Sequence, residues 1–120
     1  MVKGNGMEII KLKEGKILPG SSGLSMVQLF GNHAGIKMGI ATFKPETRAP
    51  AEGAAAHDGD EYSYIISGHI NCCSGGRTYR IEAGGGAHIP AGEEHYSYND
   101  GVEDCVLIYM LLQNNGRAHR

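Results

Sequence analysis

The chain has 120 residues, with 11 Lys plus Arg against 13 Asp plus Glu, a formal net charge of −2. No basic block is present to neutralise phosphates, so nucleic acid is a poor partner, and no apolar run approaches the roughly 20 residues that cross a bilayer. The length suits one domain, 1–120, with flexible ends at 1–6 and 114–120. The N-terminus "MVKGNGMEII" lacks the apolar core of a signal peptide, which points to the cytoplasm. Cys72, Cys73 and Cys105 have neither disulfide-framework nor C-x-x-C spacing, and are read as small buried or half-buried thiols.

Taken along the chain, β-branched and aromatic runs between glycine-rich turns predict strands at Glu8–Lys13, Leu24–Phe30 and Ile36–Lys44. "LPGSSG" is a loop, and "GNHAG" makes His33 a hairpin residue. "KPETRAPAEGAAA" (44–56) is a longer loop, because its two prolines remove donors and fix φ. Strands follow at Tyr62–Ser67, His69–Ser74, Arg77–Glu82 and Ala87–Ile89. Gly75-Gly76 between two of these supplies the positive φ of a two-residue hairpin turn. The continuous apolar run within Val102–Gln113 reads as a central strand. Many short strands with little helix predict an all-β fold, a sandwich or a barrel, with a mouth where polar groups converge.

Chemistry concentrates in two stretches. In "GGGAHIPAGEEHYSYN" (84–99) the Pro90-Ala91-Gly92 turn ends one strand and aims the next, bringing His95 inward. In "AAAHDGDEYSYIISG" (54–68) His57 and Glu61 stand at the edge of an apolar run. Tyr62, Tyr64, Tyr96 and Tyr98 bracket both stretches, and residues at i and i+2 share a strand face. Tyr64 and Tyr96 are therefore candidate catalytic donors to substrate. His88 shares a strand with the second stretch and is a candidate replacement ligand. The face of His69 is open, and His119 is tail. Asp58, Asp60, Glu93 and Glu94 add negative charge that favours a cation. Asn99 is read as bonding a turn backbone.

The second stretch spells G-x5-P-x-G-x2-H-x3-N at Gly84, Pro90, Gly92, His95 and Asn99, and so resembles the second motif of the cupin superfamily. The first cupin motif, G-x5-H-x-H-x3-4-E-x6-G, is matched at His57, Glu61 and Gly68, while Ala49 and Ala55 stand where its opening glycine and first histidine belong. Fifteen residues separate Gly68 from Gly84, as in short bacterial members, and the resemblance runs from about Gly35 to Leu112. It implies a single-domain jelly-roll barrel of short antiparallel strands. It also implies a divalent metal (Fe, Mn, Ni or Zn) held by His57, Glu61 and His95, with Ala55 leaving out a fourth ligand.

Three functions follow from that resemblance. The first is a metal-dependent enzyme, a Lewis-acid or dioxygen-dependent dioxygenase, isomerase or lyase acting on an oxygen-rich carboxylate, enol or sugar-derived molecule. The second is a metal-free isomerase or epimerase with His57 and His95 as acid and base, favoured by Ala55. The third is a non-catalytic small-molecule-binding module. The resemblance also implies a homodimer, with Glu8–Lys13 pairing to a partner's sheet.

Overall fold

A computed structural model describes residues 6–113. Its strands are β1 (Lys16–Ile17), β2 (Leu24–His33), β3 (Ile36–Phe43), β4 (Arg48–Ala49), β5 (Asp60–Ser67), β6 (His69–Ser74), β7 (Arg77–Glu82), β8 (Gly86–Ile89), β9 (His95–Tyr98) and β10 (Cys105–Leu112). They form a six-stranded sheet, β1-β2-β3-β10-β5-β8, and a four-stranded sheet, β4-β9-β6-β7. Every pairing is antiparallel. The fold is the all-β jelly roll expected from the sequence. The predicted flexible ends lie almost wholly outside the described residues, as does His119. Among the described residues, no helix is long and apolar enough to cross a membrane.

β10 explains its own composition. It lies between β3 and β5, so both of its edges are hydrogen-bonded and it is a central strand of its sheet. Cys105, Leu107 and Tyr109 turn inward and are buried, packing with Ala41, Phe43, Ile65 and Ile70. Val106, Ile108 and Met110 point outward and stay half-buried. A strand that is apolar on both faces has no polar alternation to show. The β6–β7 hairpin turns at Gly75 and Gly76, with φ of 60° and 83°, as the sequence predicts.

Two expected boundaries are corrected. Glu8–Lys13 is not a strand: residues 8–11 are irregular and Leu12–Glu14 form a 3-10 turn, with the Lys11 N–H donating to Glu14 Oε1 at 3.0 Å. Its alternating apolar residues have no facing strand, and Ile9 is 76% exposed. β10 starts at Cys105 rather than Val102. Asn99 Nδ2 donates to the carbonyls of Phe43 and Glu103, and its Oδ1 accepts the Gly101 N–H, which bends 101–103 out of the strand. The loop expected at 44–56 contains the two-residue β4, which pairs with β9.

The buried acids of this core predict an alkaline weakness. Burial pushes the fully enclosed Cys105 thiol from an ordinary 9.0 up to about 11, and raises Cys72 and Tyr109 as well. The unfolded thiol loses its proton first as pH rises, so stability is full below about pH 9 and falls between pH 9 and 11. Cys105 alone accounts for about 2–3 kcal/mol of that loss. Urea midpoints at pH 8 and 10.5 are expected to show the decline, and Cys105→Val to flatten it. A midpoint that is constant across this range contradicts the assignment.

Candidate metal centre

The chain between β4 and β5 crosses from one sheet to the other. Ala55 is bridged to His95 of β9, in the four-stranded sheet, through two hydrogen bonds: Ala55 N–H to His95 O at 2.9 Å and the reverse at 2.8 Å. Six residues later Glu61 lies on β5 of the six-stranded sheet, opposite Leu111 and Ile89. His57 falls on the corner between them. Gly59 makes the corner possible, since a Cβ there would stand 1.4 Å from the Leu112 carbonyl oxygen.

The Pro90–Gly92 turn locks against this corner. The Gly92 N–H donates to His57 O at 2.8 Å, and the Ala91 N–H donates to Asp60 Oδ1 at 2.8 Å. Within the turn, the Glu93 N–H donates to Pro90 O at 3.1 Å. His95 then enters β9 facing inward. The two sequence stretches are thus joined by backbone bonds before their side chains meet.

Those side chains do meet. Glu61 Oε1 lies 3.4 Å from His57 Nε2 and 3.5 Å from His95 Nε2. One ligand atom from each of the three lies within 4.8 Å of the others. The imidazole centroids are 5.2 Å apart. His95 is 7% exposed as a residue, whereas the His57 side chain is 39% exposed, so one imidazole is held inside and one faces the mouth. His95 Nδ1–H donates to the Glu93 carbonyl at 3.0 Å, which leaves Nε2 facing Glu61, to donate there when the ring is protonated and to offer its lone pair to a metal when it is neutral. The hydrogen bond to Glu61, aided by the Glu93 carbonyl, raises the His95 pKa against the opposing effect of burial.

The donor set fits a divalent cation. Ligand bonds of about 2.1 Å in tetrahedral array place neighbouring donors about 3.4 Å apart. The two nitrogen–oxygen separations at Glu61 match that spacing. Ala55 also lines the cavity beside His57, Glu61 and His95, so its methyl occupies the side from which a fourth donor would come.

The four tyrosines of the two stretches lie outside the cavity lining. Glu61 and Ser63 line the cavity, and strand alternation therefore turns Tyr62 and Tyr64 outward, where they are 40% and 49% exposed. On β9 His95 and Ser97 face the cavity, and Tyr96 lies outside it, stacked under the Arg48 guanidinium at 3.8 Å. Tyr64 and Tyr96 are therefore corrected from candidate donors to outer-surface residues. His88 is also outside, stacked on Tyr62 at 4.7 Å and 3.5 Å from Asp60 Oδ2, which removes it as a replacement ligand. His69 is bonded to Asp100 at 2.5 Å, away from the cavity. Asn99, 1% exposed, bonds the loop backbone as expected.

The cavity behind the three ligands, about 280 Å³, lies within the barrel. Residues of both sheets line it, including Ser63, Ser97, Cys72 and Tyr109, which the sequence reading did not select. Burial raises the Cys72 pKa, opposed by its hydrogen bond to Ser97, so this thiol stays protonated.

The comparisons agree with this architecture. A protein described as a predicted oxalate decarboxylase from Thermotoga maritima superposes with a TM-score of 0.76 at 20% identity, over 88% of this chain and 99% of that one. A sugar phosphate isomerase from a cupin superfamily, from Silicibacter pomeroyi, gives 0.74 at 15% identity, over 88% and 76%. The Cnp3 cupin domain of Schizosaccharomyces pombe gives 0.74 at 18% identity, over 88% and 73%. Comparison with curated protein sequences finds no match. The family profile described as cupin domain matches residues 39–111, which contain all three converging side chains, and the chain belongs to that family.

Proposed function

We propose that this cupin domain binds a divalent metal ion (Fe, Mn, Ni or Zn) through His57 Nε2, Glu61 Oε1 and His95 Nε2, and acts as an enzyme on a small molecule bearing oxygen donors. The observation that carries this reading is the convergence of both Nε2 atoms on one carboxylate oxygen, with the His95 tautomer fixed from behind by Glu93. A metal in this donor set supplies Lewis acidity toward a bound oxygen, or a centre for dioxygen. The chain's own groups do the rest. His95 is a rigid, enclosed donor; the half-exposed His57 stands where a molecule enters; and Ser63 and Ser97 offer hydroxyls along the cavity wall. The three free thiols support a cytoplasmic location.

Protein prepared without chelator is expected to carry close to one equivalent of metal, and His95→Ala to lose it while keeping the wild-type far-UV spectrum. Wild type that takes up no metal at micromolar concentrations contradicts the proposal. Ala55 favours a second reading, in which His57 and His95 exchange protons with substrate across Glu61 without metal. Turnover with a bell-shaped pH profile, insensitive to chelators, distinguishes it.

We also propose a homodimer, through a different surface from the one the sequence suggested. The outer face of the six-stranded sheet carries cross-strand rows Tyr64–Ile108–Ile40–Val27 and Tyr62–Met110–Met38–Phe30. These rows lack charge, and a second copy of the same face would bury them. Sedimentation at tens of micromolar is expected to give a dimer that Ile108→Glu dissociates; a monomeric wild type removes the proposal.

A further inference from the structure

The cavity wall is far less polar than an oxygen-rich substrate requires. Beyond the His57–Glu61–His95 end it is built from Leu24, Met26, Phe43, Ile70, Ile81 and Leu107. Among the described residues, Glu61 is the only acidic side chain lining it, and no lysine or arginine does so. The remaining polar side chains of the wall are few and uncharged: Ser63, Ser97, Cys72 and Tyr109. Cys72 and Ser97 stand opposite each other across the β6–β9 ladder, so thiol and hydroxyl are neighbours on the wall. The Tyr109 hydroxyl is buried without a partner against Gly39, where a Cβ would approach it to 2.6 Å. It therefore presents no accessible oxygen to the cavity.

The charged groups lie on the other side of the same wall. β7 and β8 are the end strands of the two sheets. The depression between them, about 480 Å³, is lined by Arg80, Glu82, His88 and Glu93, and shares only Cys72, Ile81, Ala87 and Ile89 with the inner cavity. Charge is kept where water remains, and the interior is left to hydrocarbon.

We infer that the substrate or ligand of this site is an amphiphile, with one oxygen-bearing head such as a carboxylate at the His/Glu end and an uncharged aromatic or branched aliphatic body in the barrel. This rests on the metal-binding reading for the head and on the cavity wall alone for the body. A polyhydroxylated sugar would lose water from each hydroxyl with little beyond Ser63 and Ser97 to replace it, and a second charge would be buried unpaired. A cavity of 150 Å³ lined by aliphatic and aromatic groups holds benzene, so 280 Å³ suits a body of about ten non-hydrogen atoms.

The test uses the 120-residue protein loaded with Zn²⁺, titrated calorimetrically with 3-phenylpropionate and with gluconate. In parallel, toluene is added to metal-free and metal-loaded protein while the methyl resonances of Leu24, Met26, Ile70 and Leu107 are followed. The expected result is at least tenfold tighter binding of 3-phenylpropionate than of gluconate, with toluene shifting those methyls in both forms. Ala87→Phe, which projects a ring into the cavity from β8, is expected to abolish the toluene shifts. Gluconate binding as well as or better than 3-phenylpropionate, or toluene leaving the methyls unmoved, overturns the inference. If Zn²⁺ is not taken up while toluene still shifts the methyls, the apolar body stands and the metal-binding reading falls.

Discussion

Replacing Ala55 with histidine is expected to tighten Zn²⁺ or Co²⁺ binding by about tenfold or more, the effect of one added ligand worth at least 1.4 kcal/mol. Ala55 and His95 exchange both backbone hydrogen bonds. Such pairs place their Cβ atoms about 5.5 Å apart on the same face of the ladder. Ala55 already lines the cavity, so a histidine there enters beside His95 rather than reaching from elsewhere. Competition titration against a chelator of known affinity, on A55H and wild type, gives the ratio directly. An unchanged ratio would mean that the side chain at 55 is directed away from the three donors. Wild-type protein is correspondingly expected to lose metal to a chelator faster than the variant.

The largest stability effect is expected at Gly59. A Cβ at this position would overlap the Leu112 carbonyl, at 1.4 Å from the oxygen and 2.4 Å from the carbon. The obstacle is backbone of the central strand, which cannot swing aside as a flexible side chain can. Gly59→Ala is therefore expected to cost about 2–3 kcal/mol, at the upper end of ordinary overpacking, and to lower the melting temperature by roughly 10 °C or more. It should also weaken metal binding, because His57 lies two residues away on the same corner. Scanning calorimetry and metal titration on the one variant check both. A melting point within a degree or two of wild type would show that the corner is loose.

What the sequence disclosed and what it withheld have physical causes. β6 and β7 matched their expected limits because the Gly-Gly turn is local and strand alternation runs to both ends. The two-residue β1 and β4 are too short to carry any period, and exist only through β2 and β9. Asn99 was recognisable as a turn residue. That its amide shortens β10 depends on Phe43, 56 positions away. The converging donors were legible because a family motif marks them, whereas Gly59 was not, since its meaning lies in Leu112. The tyrosines were misplaced despite a usable signal. Once Glu61 faces in, parity sends Tyr62 and Tyr64 out, and His95 does the same to Tyr96. The apolar lining was the least legible feature, because its residues come from strands scattered over most of the chain.

Glu61 belongs to one sheet and His95 to the other, while His57 rides on the corner that links them. Their separations therefore gauge the alignment of the two layers, much as a vernier reads the sliding of two scales. A core substitution that shears β5 past β9 by a fraction of an ångström, at Ile65 for instance, changes the chemistry at the mouth without touching any residue there.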